Sequence, residues 1–173
     1  ASGGTEANIE ALWIYRNNFK EEFDASPEEI AVVYSQDTHY SIVKGIDLLG
    51  LSPVVVNVSN ETRELLITYM AHQLNEAVKH GKKYFIVVLN MATTMFGSVD
   101  PIEKVCDYLD LANINYKLHI DAAYGGFIYP FTEPEHHFHF ANPKVNSISL
   151  DAHKLLQAPY GTGIFLVRKD FMK

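Results

Sequence analysis

Five consecutive apolar residues, Phe85-Ile86-Val87-Val88-Leu89, leave no polar face for solvent. A strand of that kind is buried on both sides, which calls for a parallel sheet covered by helices. The flanking pattern agrees. Ile30 to Tyr34 reads as a β-rich run, Tyr40 to Leu49 as a glycine-ended helix, and Pro53-Val54-Val55-Val56 as the next buried strand. From Glu61 to His80, Leu66, Met70, Leu74 and Ala77 share one helical face, and Lys79, His80 and Gly81 supply a cationic last turn and a stop. Pro101 opens another helix that ends near Asn113, and Tyr116 to Ile120, Val145 to Leu150 and Gly163 to Val167 read as strands. The stretch 151–162 is barely long enough for a crossover and carries Pro159-Tyr160-Gly161, so the last strand should run antiparallel to its predecessor. The expected fold class is α/β: a three-layer α/β/α domain over residues 1–173 with a mostly parallel sheet and an antiparallel last strand.

Charge and composition remove several classes of function. A net charge of −7 and the lack of a clustered Lys/Arg run argue against nucleic acid as a partner. No apolar run approaches the ~20 residues of a membrane-crossing helix, so no membrane span is expected. Cys106 is the sole cysteine and cannot form an intramolecular disulfide. Nothing at the N-terminus resembles a secretion signal, so a cytoplasmic location is expected.

In an open parallel sheet, ligands bind beyond the carboxyl ends of the strands, and the chemically suggestive residues fall mostly there. Gly3-Gly4-Thr5 precedes a helical pattern, offering backbone N–H groups, a hydroxyl and the positive end of a helix dipole to a phosphate; a plain glycine turn with a Thr cap is the simpler reading of that motif alone. Asp121 ends a strand and is followed by Ala122-Ala123-Tyr124-Gly125-Gly126, so a carboxylate stands where small residues let a flat ring approach. Such an acid can pair with a protonated ring nitrogen. Lys154, after His153, lies beyond the next strand, where partial desolvation favours the neutral amine that attacks an aldehyde.

Five stretches together resemble the fold-type I pyridoxal-phosphate enzymes, and within them the group II amino-acid decarboxylases with the related sphingosine-phosphate lyases. They are Ser2-Gly3-Gly4-Thr5-Glu6-Ala7-Asn8; Asp37-Thr38-His39-Tyr40-Ser41 with Lys44; Thr93-Thr94 through Gly97 to Asp100-Pro101; His119-Ile120-Asp121-Ala122-Ala123-Tyr124-Gly125-Gly126; and Ser149-Leu150-Asp151-Ala152-His153-Lys154. Their order and spacing span almost the whole chain. The resemblance implies that pyridoxal 5'-phosphate is the cofactor, with Gly4 and Thr5 at its phosphate and His153 beside them. It implies that His39 stacks on one face of the ring and Ala123 packs on the other. Asp121 would pair with the ring nitrogen, Thr94 and with less support Thr93 would lie near the ring substituents, and Lys154 would form the internal aldimine. The implied activity is decarboxylation of an L-amino acid, with Lys154, Asp121 and His39 as catalytic residues. A longer homodimeric enzyme is also implied, with an N-terminal segment, an edge strand before Ala1 and a C-terminal small domain outside these residues.

Two departures bear on subfamily. Ala92 stands where many of these decarboxylases place a glycine, and Asp151-Ala152 replaces an Asn-Pro found in some. An extra anion near a phosphate is unfavourable unless Asp151 is turned away or hydrogen-bonded. A carbon–carbon lyase of the sphingosine-phosphate type and a non-catalytic domain binding the cofactor or a partner chain are the competing readings. No metal is expected: His136, His137 and His139 have no second ligand group at a recognisable spacing and read as loop histidines, while Cys106 reads as a small buried apolar residue.

Overall fold

The computed structural model describes residues 1–171. Six strands form one sheet: β1 (Ile30–Ser35), β2 (Ser52–Val56), β3 (Tyr84–Asn90), β4 (Asn115–Asp121), β5 (Val145–Asp151) and β6 (Gly163–Val167). Their order is β2-β1-β3-β4-β5-β6; neighbours are parallel except β5 and β6, which pair antiparallel from Ser147↔Val167 to Asp151↔Gly163. The expected three-layer architecture is therefore present, with the antiparallel last strand where the short 151–162 connection puts it.

Alternation along the strands builds a core on each face of the sheet. On one side Ala31, Val33, Phe85, Val87, Leu89, Leu118 and Ile120 meet helices α3 (Ile67–Lys79) and α4 (Ile102–Leu111) through Met70, Leu74, Val105 and Leu109. On the other, Ile30, Val32, Ile86 and Val88 meet α1 (Gly4–Phe23) and α2 (Tyr40–Leu49) through Leu12, Phe19, Ile42 and Ile46. Neither face of β3 is left to water, as its unbroken apolar run requires. A one-turn helix, α5 (Tyr129–Thr132), interrupts the long β4–β5 connection.

Two expectations need correction. The strand around Pro53 is not buried on both faces: β2 is the sheet edge, with Pro53 and Val55 exposed, and proline is tolerated there because an edge strand need not donate every N–H. The helix expected over 61–80 begins only at Ile67. Its first turns are pre-empted by tertiary bonds: Val58 bridges Leu65, the Leu65 N–H donates to Asp100 Oδ1 at 2.9 Å, and Arg63 takes a left-handed φ of 60° while its guanidinium grips Asp37 through bonds of 2.7 and 2.9 Å. Cys106 is buried on α4 beside Val105, as its apolar surroundings suggested.

Candidate active site

Four parallel strands deliver their carboxyl ends to one cavity of about 400 Å³. β1 leads to His39, β3 to Ala92, Thr93 and Thr94, β4 ends at Asp121 and is followed by Ala123, and β5 leads to His153 and Lys154. The N-terminus of α1 closes the cavity with Gly4 and Thr5. All eight residues singled out from sequence (Gly4, Thr5, His39, Thr94, Asp121, Ala123, His153 and Lys154) line this one space.

The first-turn N–H groups of α1 have no intrahelical acceptor and point at the cavity end of the helix. Only glycine fits at position 4: a Cβ there would stand 2.9 Å from the Ala123 Cβ and 3.0 Å from Asp151 Oδ2. Next to it, Lys154 Nζ lies 3.2 Å from Asp151 Oδ2, and His153 Nε2 lies 3.7 Å from the same oxygen. Asp151 is thus paired with the lysine, which answers how an additional carboxylate is tolerated beside the N-terminus of α1. Asp151 Oδ1 and His153 Nδ1 are both buried without a hydrogen-bond partner. Unpaired polar atoms of that kind are costly unless a ligand or water meets them.

Asp121 is 7% exposed, and both its oxygens are held. Asn8 Nδ2 donates to Oδ2 at 2.7 Å, and Ala123 N–H donates to Oδ1 at 3.2 Å. His39 faces the same cavity; its Nδ1 is 2.9 Å from Ser41 Oγ, and burial, the largest influence on it, lowers its pKa, so the ring is neutral near pH 7. Thr93 is buried and bonded to Ser98 across a loop pinned by Asp100, whose Oδ2 accepts from the Asn90 N–H and Nδ2 at 2.8 Å each. Ala92, the glycine departure, sits in that loop with φ 64°.

Sequence reasoning assigned no role to Asn8, Ser41 or Ser149. All three lie inside motifs already singled out, yet an Asn on a helix, a Ser two residues after a His and a Ser within a strand carry no signal of their own. Their bonds reach partners 28 to 141 residues away. Two of the loop histidines have partners, His137 Nδ1 lying 3.2 Å from Glu103 and His139 Nδ1 accepting from the Ala141 N–H, while His136 Nδ1 is buried without a hydrogen-bond partner and its ring packs edge-on to Tyr129. Among the described residues no group of three or more His, Cys, Asp or Glu side chains is arranged to hold a metal ion.

The fold and cavity define an open α/β protein whose strand ends carry a lysine, a fixed carboxylate and a helix N-terminus around a space of cofactor size. Comparison with known proteins makes this specific. Residues 1–172 match the pyridoxal-dependent decarboxylase conserved domain, and the chain belongs to that family. It is similar to the tryptophan decarboxylase of Clostridium sporogenes (52% identity over 170 residues, 98% of this chain and 41% of the relative) and to a probable L-aspartate decarboxylase of Halobacterium salinarum (35% identity, 97% and 42%). The fold is shared with the sphingosine-1-phosphate lyase of Burkholderia pseudomallei at a TM-score of 0.83 and 24% identity, over 99% of this chain and 38% of the lyase. The chain spans about two fifths of the length of the curated relatives it matches.

Proposed function

We propose that this chain forms the cofactor-binding part of an enzyme that decarboxylates an L-amino acid, with pyridoxal 5'-phosphate held on Lys154. The observation that carries this reading is the convergence of Lys154, Asp121, His39 and the α1 N-terminus in one cavity at the strand ends. The residues fit the group. The first turn of α1 with Thr5 suits the phosphate, the unpartnered His153 Nδ1 near Gly3 would be available to it, and the space kept open by Gly4 would be closed by any side chain. His39 and Ala123 offer a neutral ring and a methyl group to the two faces of a flat heterocycle, Thr94 lies at its rim, and Asp121 offers an anchored carboxylate to a ring N–H.

When bound, pyridoxal 5'-phosphate supplies an aldehyde that condenses with amines and a protonated ring that accepts the electrons of a breaking Cα bond. The chain's residues have separate tasks around it. Asp151 Oδ2 holds the Lys154 ammonium 3.2 Å away, at the side of the cavity where the lysine is needed. Asp121, fixed at both oxygens, would keep a proton on the ring atom that faces it. A neutral His39 would stack on the ring without adding charge.

An aromatic amino acid is the substrate class we favour. The 52% identical relative is a tryptophan decarboxylase, and Tyr40, Tyr124 and Tyr160 line the cavity. Among the described lining residues no Lys or Arg other than Lys154 is present to pair with a side-chain carboxylate. The full-length enzyme is read as a cytoplasmic homodimer, an assembly supported by the exposed apolar side chains Met95, Phe96, Leu156 and Tyr160, of which Tyr160 lines the cavity. None of the described helices is long and apolar enough to cross a membrane.

Borohydride reduction of the cofactor-loaded full-length protein followed by peptide mapping tests the cofactor assignment, and amine release from tryptophan, aspartate and histidine tests the reaction. A reduced adduct on Lys154 with tryptamine formation is the expected result. Labelling scattered over other lysines would overturn the assignment, and cleavage of a phosphorylated amino alcohol to an aldehyde without any amine from an amino acid would favour the lyase reading.

A further inference from the structure

From Asn8 in the cavity wall a line of buried polar side chains runs into the fold, and the proposed chemistry assigns these residues no role. Tyr15, His119 and Ser147 are wholly buried, Asn8 is 1% exposed, and each is bonded to the next: Tyr15 Oη to Ser147 Oγ at 2.6 Å, Ser147 Oγ to His119 Nδ1 at 2.8 Å, His119 Nε2 to Asn8 Oδ1 at 2.9 Å, and Asn8 Nδ2 to Asp121 Oδ2 at 2.7 Å.

The direction of every bond follows from one end. A carboxylate only accepts, so the Asn8 atom facing Asp121 is the amide nitrogen. The Asn8 oxygen then faces His119 Nε2, which must carry its hydrogen. Burial, the largest influence on His119, lowers its pKa, so the imidazole is neutral and Nδ1 accepts from the Ser147 hydroxyl. Ser147 Oγ, its own hydrogen used, accepts from Tyr15. All four hydrogens point toward Asp121. The second Asn8 amide hydrogen goes to Ser41 Oγ at 2.9 Å, and Ser41 in turn donates to His39 Nδ1.

We propose that Asn8 is the positioning residue of this site, joining Asp121 and, through Ser41, His39 to a one-directional relay that begins at Tyr15. This rests on the reading that Asp121 faces the cofactor's ring nitrogen. Hydrogen bonds aligned head to tail polarise one another, so a chain terminating on a carboxylate fixes that carboxylate's orientation and favours its charged form. One amide thereby sets the geometry of both the ring-nitrogen partner and the stacking histidine.

The test uses the full-length protein carrying this chain, with two independent readouts. First, in cofactor-free protein, nitrogen NMR of His119 should show a neutral ring protonated on Nε2; a proton on Nδ1, or on both nitrogens at pH 7, overturns the relay. Second, after loading with pyridoxal 5'-phosphate labelled with nitrogen-15 in the ring, Asn8→Ala should shift the ring nitrogen toward its unprotonated signal. It should also weaken cofactor retention about tenfold to a hundredfold, the range for losing a hydrogen bond to a charged group. Tyr15→Phe, at the far end, should change retention less than Asn8→Ala does, by about tenfold at most, the upper end for a neutral bond. Effects that track loss of thermal stability instead of position along the chain, or an unchanged ring signal in folded Asn8→Ala, overturn the proposal. Should Asn8→Ala not fold, Ser147→Ala supplies the same ordering test. If the unsubstituted protein takes up no cofactor, the functional reading fails, while the His119 measurement still decides the relay.

Discussion

Replacing Ala92 with glycine should leave the protein as stable as before or slightly more so, against the usual effect of such a change. Ala92 has φ 64° in the loop after β3. A left-handed conformation costs an L-residue with a Cβ about 1–2 kcal/mol, which glycine avoids. Against that, the added freedom of glycine in the unfolded chain costs about 0.4–1 kcal/mol. Losing a half-buried methyl group removes about half of the ~0.8 kcal/mol assigned to a fully buried CH₂. Central values leave a net stabilisation of a few tenths of a kcal/mol. Because that margin is small, the discriminating quantity is a contrast with Ala77, which is also partly buried but lies within the right-handed helix α3. Ala77→Gly should destabilise by about 1 kcal/mol or somewhat more, so the two variants should differ by about 1.5 kcal/mol. Urea unfolding followed by circular dichroism measures both. Equal destabilisation by the two exchanges would refute the argument that the loop holds Ala92 in a strained conformation.

Gly4→Ala should weaken cofactor retention and destabilise the fold by about 1–3 kcal/mol despite alanine's better helix propensity, because the new methyl meets Ala123 at 2.9 Å; adding Ala123→Gly should recover part of the loss in a double-mutant cycle. His119, with a pKa lowered by burial, binds fewer protons folded than unfolded. Its contribution to stability is therefore intact above the unfolded-state value of about 6.5 and is lost as pH falls from there toward the lowered folded-state value, by up to about 1.4 kcal/mol per pH unit. Unfolding free energies from pH 7 to 5 should fall more steeply in the native protein than in His119→Gln, and parallel slopes would contradict this. Arg63→Ala should cost about 1 kcal/mol in chemical denaturation, since its two-pronged bond to Asp37 is only partly exposed and its guanidinium also lies over the Phe96 ring at 4.4 Å.

Much of the architecture was legible in the sequence because the relevant signals are local. The run Phe85 to Leu89 can satisfy its apolar side chains only between two helical layers, and the 151–162 connection is too short and too interrupted by Pro159 for an ordinary crossover. The positions of the reactive residues after successive strands likewise placed them on one end of the sheet, since parallel strands all point the same way. Tertiary structure decided what local rules do not carry. The helical pattern from 61 to 66 lost to the bonds that Asp100, Asp37 and Val58 offer across the fold. Pro53 marked an edge only once the strand order was known. The sequence identified Asp151 as an unexplained anion, but its pairing with Lys154 depends on the turn that carries both. Asn8 is the clearest case: its function as a hub rests on hydrogen bonds to Ser41, His119, Asp121 and Ser149, at separations of 33, 111, 113 and 141 residues, and such directional contacts leave no periodic trace in the chain that makes them.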